Sequence, residues 1–345
     1  MSNSSNNSTV HTTGTVISYA GTSVNAIPLI GRFWMYLISN CASFICSIFV
    51  LYHLLFNKNL RWGLNNHAFI VGLIINLFVL VLDVPLYLYY LYHGIVWIQV
   101  PLICQLWRYI DAASYTVLPK LVAWASFERH ILIFNERRLL RLKNRILFHY
   151  IPIGAIASYH ILLYMIINLF LPCQNRFVYT QSYCGYSSCA YQTAYTIYEL
   201  FTNGVLSSVC IAFFSITLIV RVVYRRYRVR GQVDWRKHRK LTIQLLFVAS
   251  IFYIFYFPLV ILGVWRYITG ITNFGSQYYV YGSFFSFYVN FLFPFGCVGT
   301  IPQLKTKIKK ILLCWKIKST AVAPRIVKKQ QSPTGQKPVT ANTTL

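Results

Sequence analysis

Seven stretches of mostly apolar residues, each at least about twenty residues long, divide this chain. They begin near Gly31, Asn66, Pro101, Ile146, Tyr191, Lys240 and Tyr278 and run to about Phe56, Tyr92, Ile133, Leu171, Val223, Val264 and Ile301. Twenty helical residues rise about 30 Å, the thickness of a bilayer's hydrocarbon core. The pattern predicts an all-α membrane protein, a seven-transmembrane helix bundle.

Composition and charge sharpen this picture. The residues are 57% hydrophobic and 11% charged, where a soluble domain carries about 25% charged residues. The net charge of +26 is sorted by position. Lys58 and Arg61 follow the first span, six Lys and Arg lie from Arg129 to Arg145, nine from Arg221 to Lys240 and ten from Lys305 to Lys337. These alternate loops and the tail hold 27 of the 32 basic residues, whereas the first 31 residues hold none. Basic residues gather on the cytoplasmic side of membrane proteins. The expected topology is an extracellular N-terminus and a cytoplasmic C-terminus at the plasma membrane, with the basic segments facing anionic inner-leaflet lipids rather than nucleic acid. Asn3, Asn6 and Asn7 each begin an N-glycosylation sequon in the opening polar stretch.

Residues 1–30 then form an extracellular tail, 31–301 the helical domain, 302–318 a short amphipathic eighth helix, and 319–345 a disordered basic tail. Cys314, in KTKIKKILLCWK, lies in a setting common for palmitoylation. Cys104, Cys173, Cys184 and Cys189 fall on the outer side, an oxidising compartment, and suggest two disulfides with three pairings open. Cys41, Cys46, Cys210 and Cys297 lie within spans and read as small buried hydrophobes.

The third span, CQLWRYIDAASYTVLPKLVAWASFERH, contains Arg108, Asp111, Lys120, Glu128 and Arg129. Ionisable groups at membrane depth face a bundle interior or cavity, which makes this the central helix. Arg108 is three residues from Asp111 and within reach of it on one helical face. From Cys104 to Arg129 is 25 residues, about 37 Å of helix. Arg129 therefore sits at the inner boundary when Cys104 is outside.

An outer Cys followed 25 residues later by Glu128-Arg129-His130 resembles the rhodopsin-like G-protein-coupled receptors. Trp97 seven residues before Cys104, Pro85 nine after Asn76, Phe252-x-x-x-Tyr256-x-Pro258 in span six and Pro294 within FPFGC in span seven extend the resemblance over about Gly31–Lys318. The chain departs from the pattern in several places. Asn76 stands where the family usually has Asp, span four lacks its Trp, span five lacks its Pro, and Phe293 and Cys297 replace the Asn and Tyr of the seventh-helix motif. His238 stands where an acidic clasp for the triplet Arg often lies.

The resemblance implies a receptor that binds an extracellular small molecule, amines included, or a peptide, and activates a heterotrimeric G protein. Glu128, Arg129 and His130 would form the coupling surface, with Glu128 paired to Arg129 at rest. Asn76, Phe252, Tyr256, Pro258 and Pro294 would form the activation switch. Trp107 and Asp111 are arranged as in biogenic-amine receptors, where the Asp is the counter-ion of the ligand's ammonium. Tyr115, Tyr256, Ser283 and Phe287 would line the same cavity by analogy of position.

Other classes fit less well. The eight histidines show no metal-ligand spacing, no nucleophile motif appears, and Asp83 and Asp111, the intramembrane aspartates, lack the flanks of a protease pair. No enzyme activity, metal or cofactor is expected. A transporter or channel subunit is the alternative, although the halves show no internal repeat; a receptor-like scaffold that no longer signals is another.

Overall fold

The computed structural model describes residues 27–134, 141–171, 177–185, 193–228, 235–271 and 273–298. Among the described residues, seven helical rods make up the bundle: α1 (Leu29–Phe56), α2 (Leu64–His93), α3 (Pro101–Phe134), α4 (Leu142–Phe170), α5 (Thr193–Tyr224), α6 (Trp235–Phe255 continued by Phe257–Thr269) and α7 (Ser276–Ser286 continued by Tyr288–Cys297). No strand occurs among the described residues. The sequons at Asn3, Asn6 and Asn7, the cysteines at Cys173, Cys189 and Cys314, and the segment expected to form the eighth helix lie outside the described residues.

Burial is inverted relative to a water-soluble fold. Ile38, Ile45, Phe213 and Ile254 stand exposed, while Asn76, Asp83, Glu128 and Arg129 are buried. This distribution suits a protein whose outer solvent is lipid. α1, α2, α4 and α5 are each long and apolar enough to cross a bilayer, and the two parts of α6 together make one bent span. α3, with 34 residues, packs against α2, α4, α5 and α6, so its ionisable side chains meet protein on several sides.

Local sequence explains the interruptions. Gly94 and Gly270 end α2 and α6 in the left-handed conformation, at φ 72° and 70°, their N–H groups donating to the carbonyls of Tyr90 and Arg266. Only a residue without Cβ adopts this geometry freely. Pro258 opens the second part of α6, and the two parts meet at 41°. A proline cannot donate the helical hydrogen bond, so the rod yields there. Gly296 lets α7 approach α6, since a Cβ at that position would lie 2.6 Å from Val248 Cγ2.

π-helical stretches occupy Val79–Asp83 in α2, Ile146–Tyr150 and Ile166–Phe170 in α4, and Tyr198–Leu206 in α5. The wider turn shifts the direction in which later side chains project. Asp83, His149, Glu199 and Asn203 all lie in these stretches and all reach partners on other helices.

Candidate functional site

Two groups of sequence-selected residues occupy opposite ends of α3. At the Cys104 end, a disulfide joins Cys104 to Cys184, with Cα atoms 5.7 Å apart. It holds the loop preceding α5 over the bundle. The Trp107 indole N–H donates to Asp83 Oδ1 at 2.7 Å, and its ring lies 4.6 Å from that of Tyr183. Tyr183 and Cys184 adopt φ of 55° and 54°, a left-handed conformation that L side chains rarely take. Arg108 braces this turn, donating from Nε to the Tyr183 carbonyl at 2.8 Å and from Nη2 to the Cys184 carbonyl at 2.9 Å.

The Arg108–Asp111 pair expected from helical spacing does not form. The loop carbonyls draw the guanidinium upward, and no ion pair joins it to Asp111. The Tyr183 hydroxyl faces the Asp111 carboxylate without closing a hydrogen bond to it. Burial, followed by the nearby Asp111 charge, pushes the Tyr183 phenol well above its usual range, so it stays a neutral O–H donor. Asp83 lies near enough to Asp111 for their charges to interact.

The other cavity residues divide between neighbouring places. Tyr115 and Tyr256 meet edge to face at 5.1 Å and, with Phe252 and Asn290, line a void of about 10 Å³, too small for a ligand. Phe287 stacks on Tyr87 at 5.6 Å between α7 and α2. The Ser283 hydroxyl donates to the carbonyl of Tyr279 within its own helix. Asn76 is buried with neither amide atom bonded. Pro294 is buried within α7, one residue after Phe293, whose ring lies 6.3 Å from that of Phe69 on α2.

At the opposite end, Glu128, Arg129 and His130 are all buried. Glu128 bonds to His149 of α4, the one ion pair among the described residues. The expected Glu128–Arg129 pair is therefore replaced by a cross-helix contact. Arg129 Nη2 instead donates to the Asn65 carbonyl of α2 at 3.1 Å, and its guanidinium lies 5.5 Å from the Phe69 ring centre. A nitrogen of His130 meets the Phe214 carbonyl of α5 at 2.9 Å.

A family model described as seven-transmembrane receptor, rhodopsin family, matches residues 47–298. The chain belongs to this family. No curated protein matches it. The chain is thus a rhodopsin-family, multi-pass membrane receptor.

Within this receptor, the helix packing joins Lys120 to residues that the sequence did not single out. Lys120 of α3 bonds Asn203 of α5, whose amide donates to Tyr164 of α4 at 2.7 Å and to Glu199 at 3.1 Å. Tyr164 in turn donates to Glu199. Lys120 was conspicuous as a lysine at membrane depth, and Glu199 is the only acid in its span. Searching for the acid that must balance such a lysine would have pointed to it.

Proposed function

We propose that this receptor binds a cationic extracellular ligand, with Asp111 as its counter-ion, and passes the signal to a heterotrimeric G protein at the Arg129 end. The observation that carries this reading is the Asp111 carboxylate, which lies near a second acid, Asp83, and, among the described residues, has no cationic side chain within ion-pair distance. A carboxylate so placed favours a ligand that brings its own positive charge. Trp107 and Tyr183 supply aromatic faces beside it, a setting that also favours an ammonium. The distribution of basic residues supports placing Arg129 on the cytoplasmic side and Cys104 outside, at the plasma membrane.

Coupling follows as a population shift between two bundle arrangements. The 41° bend at Tyr256 and Pro258 supplies a hinge in α6. Outward movement of the Trp235 end of α6 would open a cleft in which Arg129 meets the G protein.

Nucleotide exchange on a purified G protein, driven by a panel of amines and cationic peptides, tests both halves. Asp111→Asn should weaken the potency of an active ligand by roughly thirtyfold or more, the equivalent of about 2 kcal/mol for losing a desolvated charge partner. Arg129→Ala should abolish exchange while ligand binding persists. Unchanged potency in Asp111→Asn would reject the counter-ion role, and a ligand-gated current independent of G protein would reject receptor coupling.

A further inference from the structure

Arg32 stands in the first turn of α1, at the Cys104 end of the bundle, and faces inward. Leu29, Ile30 and Trp34 around it are exposed, whereas Arg32 and Tyr36, four residues apart on one helical face, are buried. The Arg32 guanidinium lies 5.2 Å from the Tyr281 ring centre and 5.8 Å from that of Phe284, both on α7. Its Nε is buried without a hydrogen bond, and among the described residues no carboxylate lies within ion-pair distance. The aromatic faces offset part of the cost of burying this charge. They supply no anion.

The sequence holds no acid free to complete the pair. Of the six, Glu136 and Asp234 fall within the basic segments of the other end, Glu128 bonds His149 there, and Glu199 is held by Tyr164 and Asn203. The residues before Arg32 contain none. Asp83 and Asp111 remain, across an aromatic wall in which Phe284 stacks on Tyr36 at 4.5 Å, Tyr36 meets Tyr87 at 5.5 Å and Tyr87 meets Tyr183 at 5.9 Å. Tyr87 lies near enough to Arg32 and to both aspartates to feel all three charges. A fixed cation and two acids thus share one wall without pairing.

A buried charge with no counter-ion is costly, and ionisable groups at membrane depth are found paired or facing a cavity. The planar fork of a guanidinium matches a carboxylate or phosphate with two parallel hydrogen bonds. Because Arg32 faces the bundle and not the lipid, the anion that completes it arrives from within the bundle. We propose that Arg32 is the oxyanion site for the ligand, which is therefore zwitterionic, its cationic end at Asp111 and a carboxylate or similar oxyanion at Arg32. The cationic half rests on the proposed role of Asp111; the Arg32 half does not.

The probes are inorganic phosphate, acetate, and straight-chain amino acids of graded length with amine and carboxylate at opposite ends, each matched to the plain amine of the same length. The full chain, labelled with ¹⁵N-arginine, is studied in a maltoside detergent at fixed ionic strength. Phosphate or acetate should move the Arg32 Nε–H resonance saturably, and Arg32→Gln assigns that resonance by its loss. By calorimetry, one amino acid of the series should bind at least about tenfold more tightly than its amine, the share of a charge-assisted pair. Arg32→Gln should erase that advantage, and Arg32→Lys, which keeps the charge without the fork, should retain part of it. A resonance unmoved by every anion, or amino acids that bind no better than their amines, overturns the Arg32 site and leaves Asp111 untouched. Unchanged amine affinity in Asp111→Asn beside an intact Arg32 response rejects the counter-ion and the cationic half alone. A resonance that answers only to a short-chain phosphatidylglycerol assigns Arg32 to lipid and overturns its role toward the ligand.

Discussion

Glu199→Leu is expected to leave most of this receptor unable to reach a stable folded state. The reason lies in Lys120, whose ammonium sits at membrane depth and reaches Glu199 through Asn203. Removing the acid leaves a half-buried cation at membrane depth with no counter-charge, a change that destabilises by up to about 3 kcal/mol, the low end for breaking a buried pair. Folded domains exceed their unfolded states by only about 5–15 kcal/mol. Tyr164 and Asn203 are also left with unfilled bonds, since both donate to the lost carboxylate.

The double variant Lys120→Met/Glu199→Leu removes both charges and should recover most of the stability, because a neutral, well-filled site of similar volume is tolerated. Size-exclusion profiles and thermal midpoints in one detergent measure both effects. Equal loss in single and double variants would show that packing around Glu199, rather than charge balance, holds α3, α4 and α5 together.

The contrast between what could be read in advance and what could not follows from the range of the forces involved. Apolar runs of membrane-spanning length located the rods to within a few residues, because burial of apolar surface in lipid is set by composition over a window and needs no knowledge of neighbours. The bend in α6 has an equally local cause, the proline at position 258.

Partner choice was not local. Arg108 was three residues from an acid on its own helix, yet two carbonyls of the loop tied to Cys184 captured it. Glu128 stands next to Arg129 in sequence, but His149, 21 positions away, reaches it from a π-helical turn of α4. Neither the height of α4 against α3 nor the turn that aims His149 is written in hydrophobic periodicity. The same holds for Tyr183, one of 27 tyrosines, which only its backbone conformation and its seat beside Trp107 distinguish.

That seat leads to the second large effect, expected when Cys104 and Cys184 are both replaced by alanine. The bond spans 80 residues of sequence, and in a freely coiling chain its removal would forfeit about 4.5 kcal/mol of loop-closure entropy. Helices already inserted in a bilayer do not coil freely, so the entropic share here is smaller. A second contribution is local. Two successive residues in the left-handed region each cost about 1–3 kcal/mol and persist only while the surroundings impose them. Arg108 and the Val96 N–H bond to the Tyr179 carbonyl are too few to do so alone. The loop should relax and withdraw Tyr183 from between Trp107 and Asp111. Hydrogen exchange over residues 177–185 should then rise by at least roughly tenfold, the equivalent of about 1.4 kcal/mol of lost protection, together with a lower thermal midpoint. A double-alanine receptor with native protection across those residues would mean that Arg108, not the disulfide, holds the loop over Asp111, and Arg108→Met would become the variant that opens it.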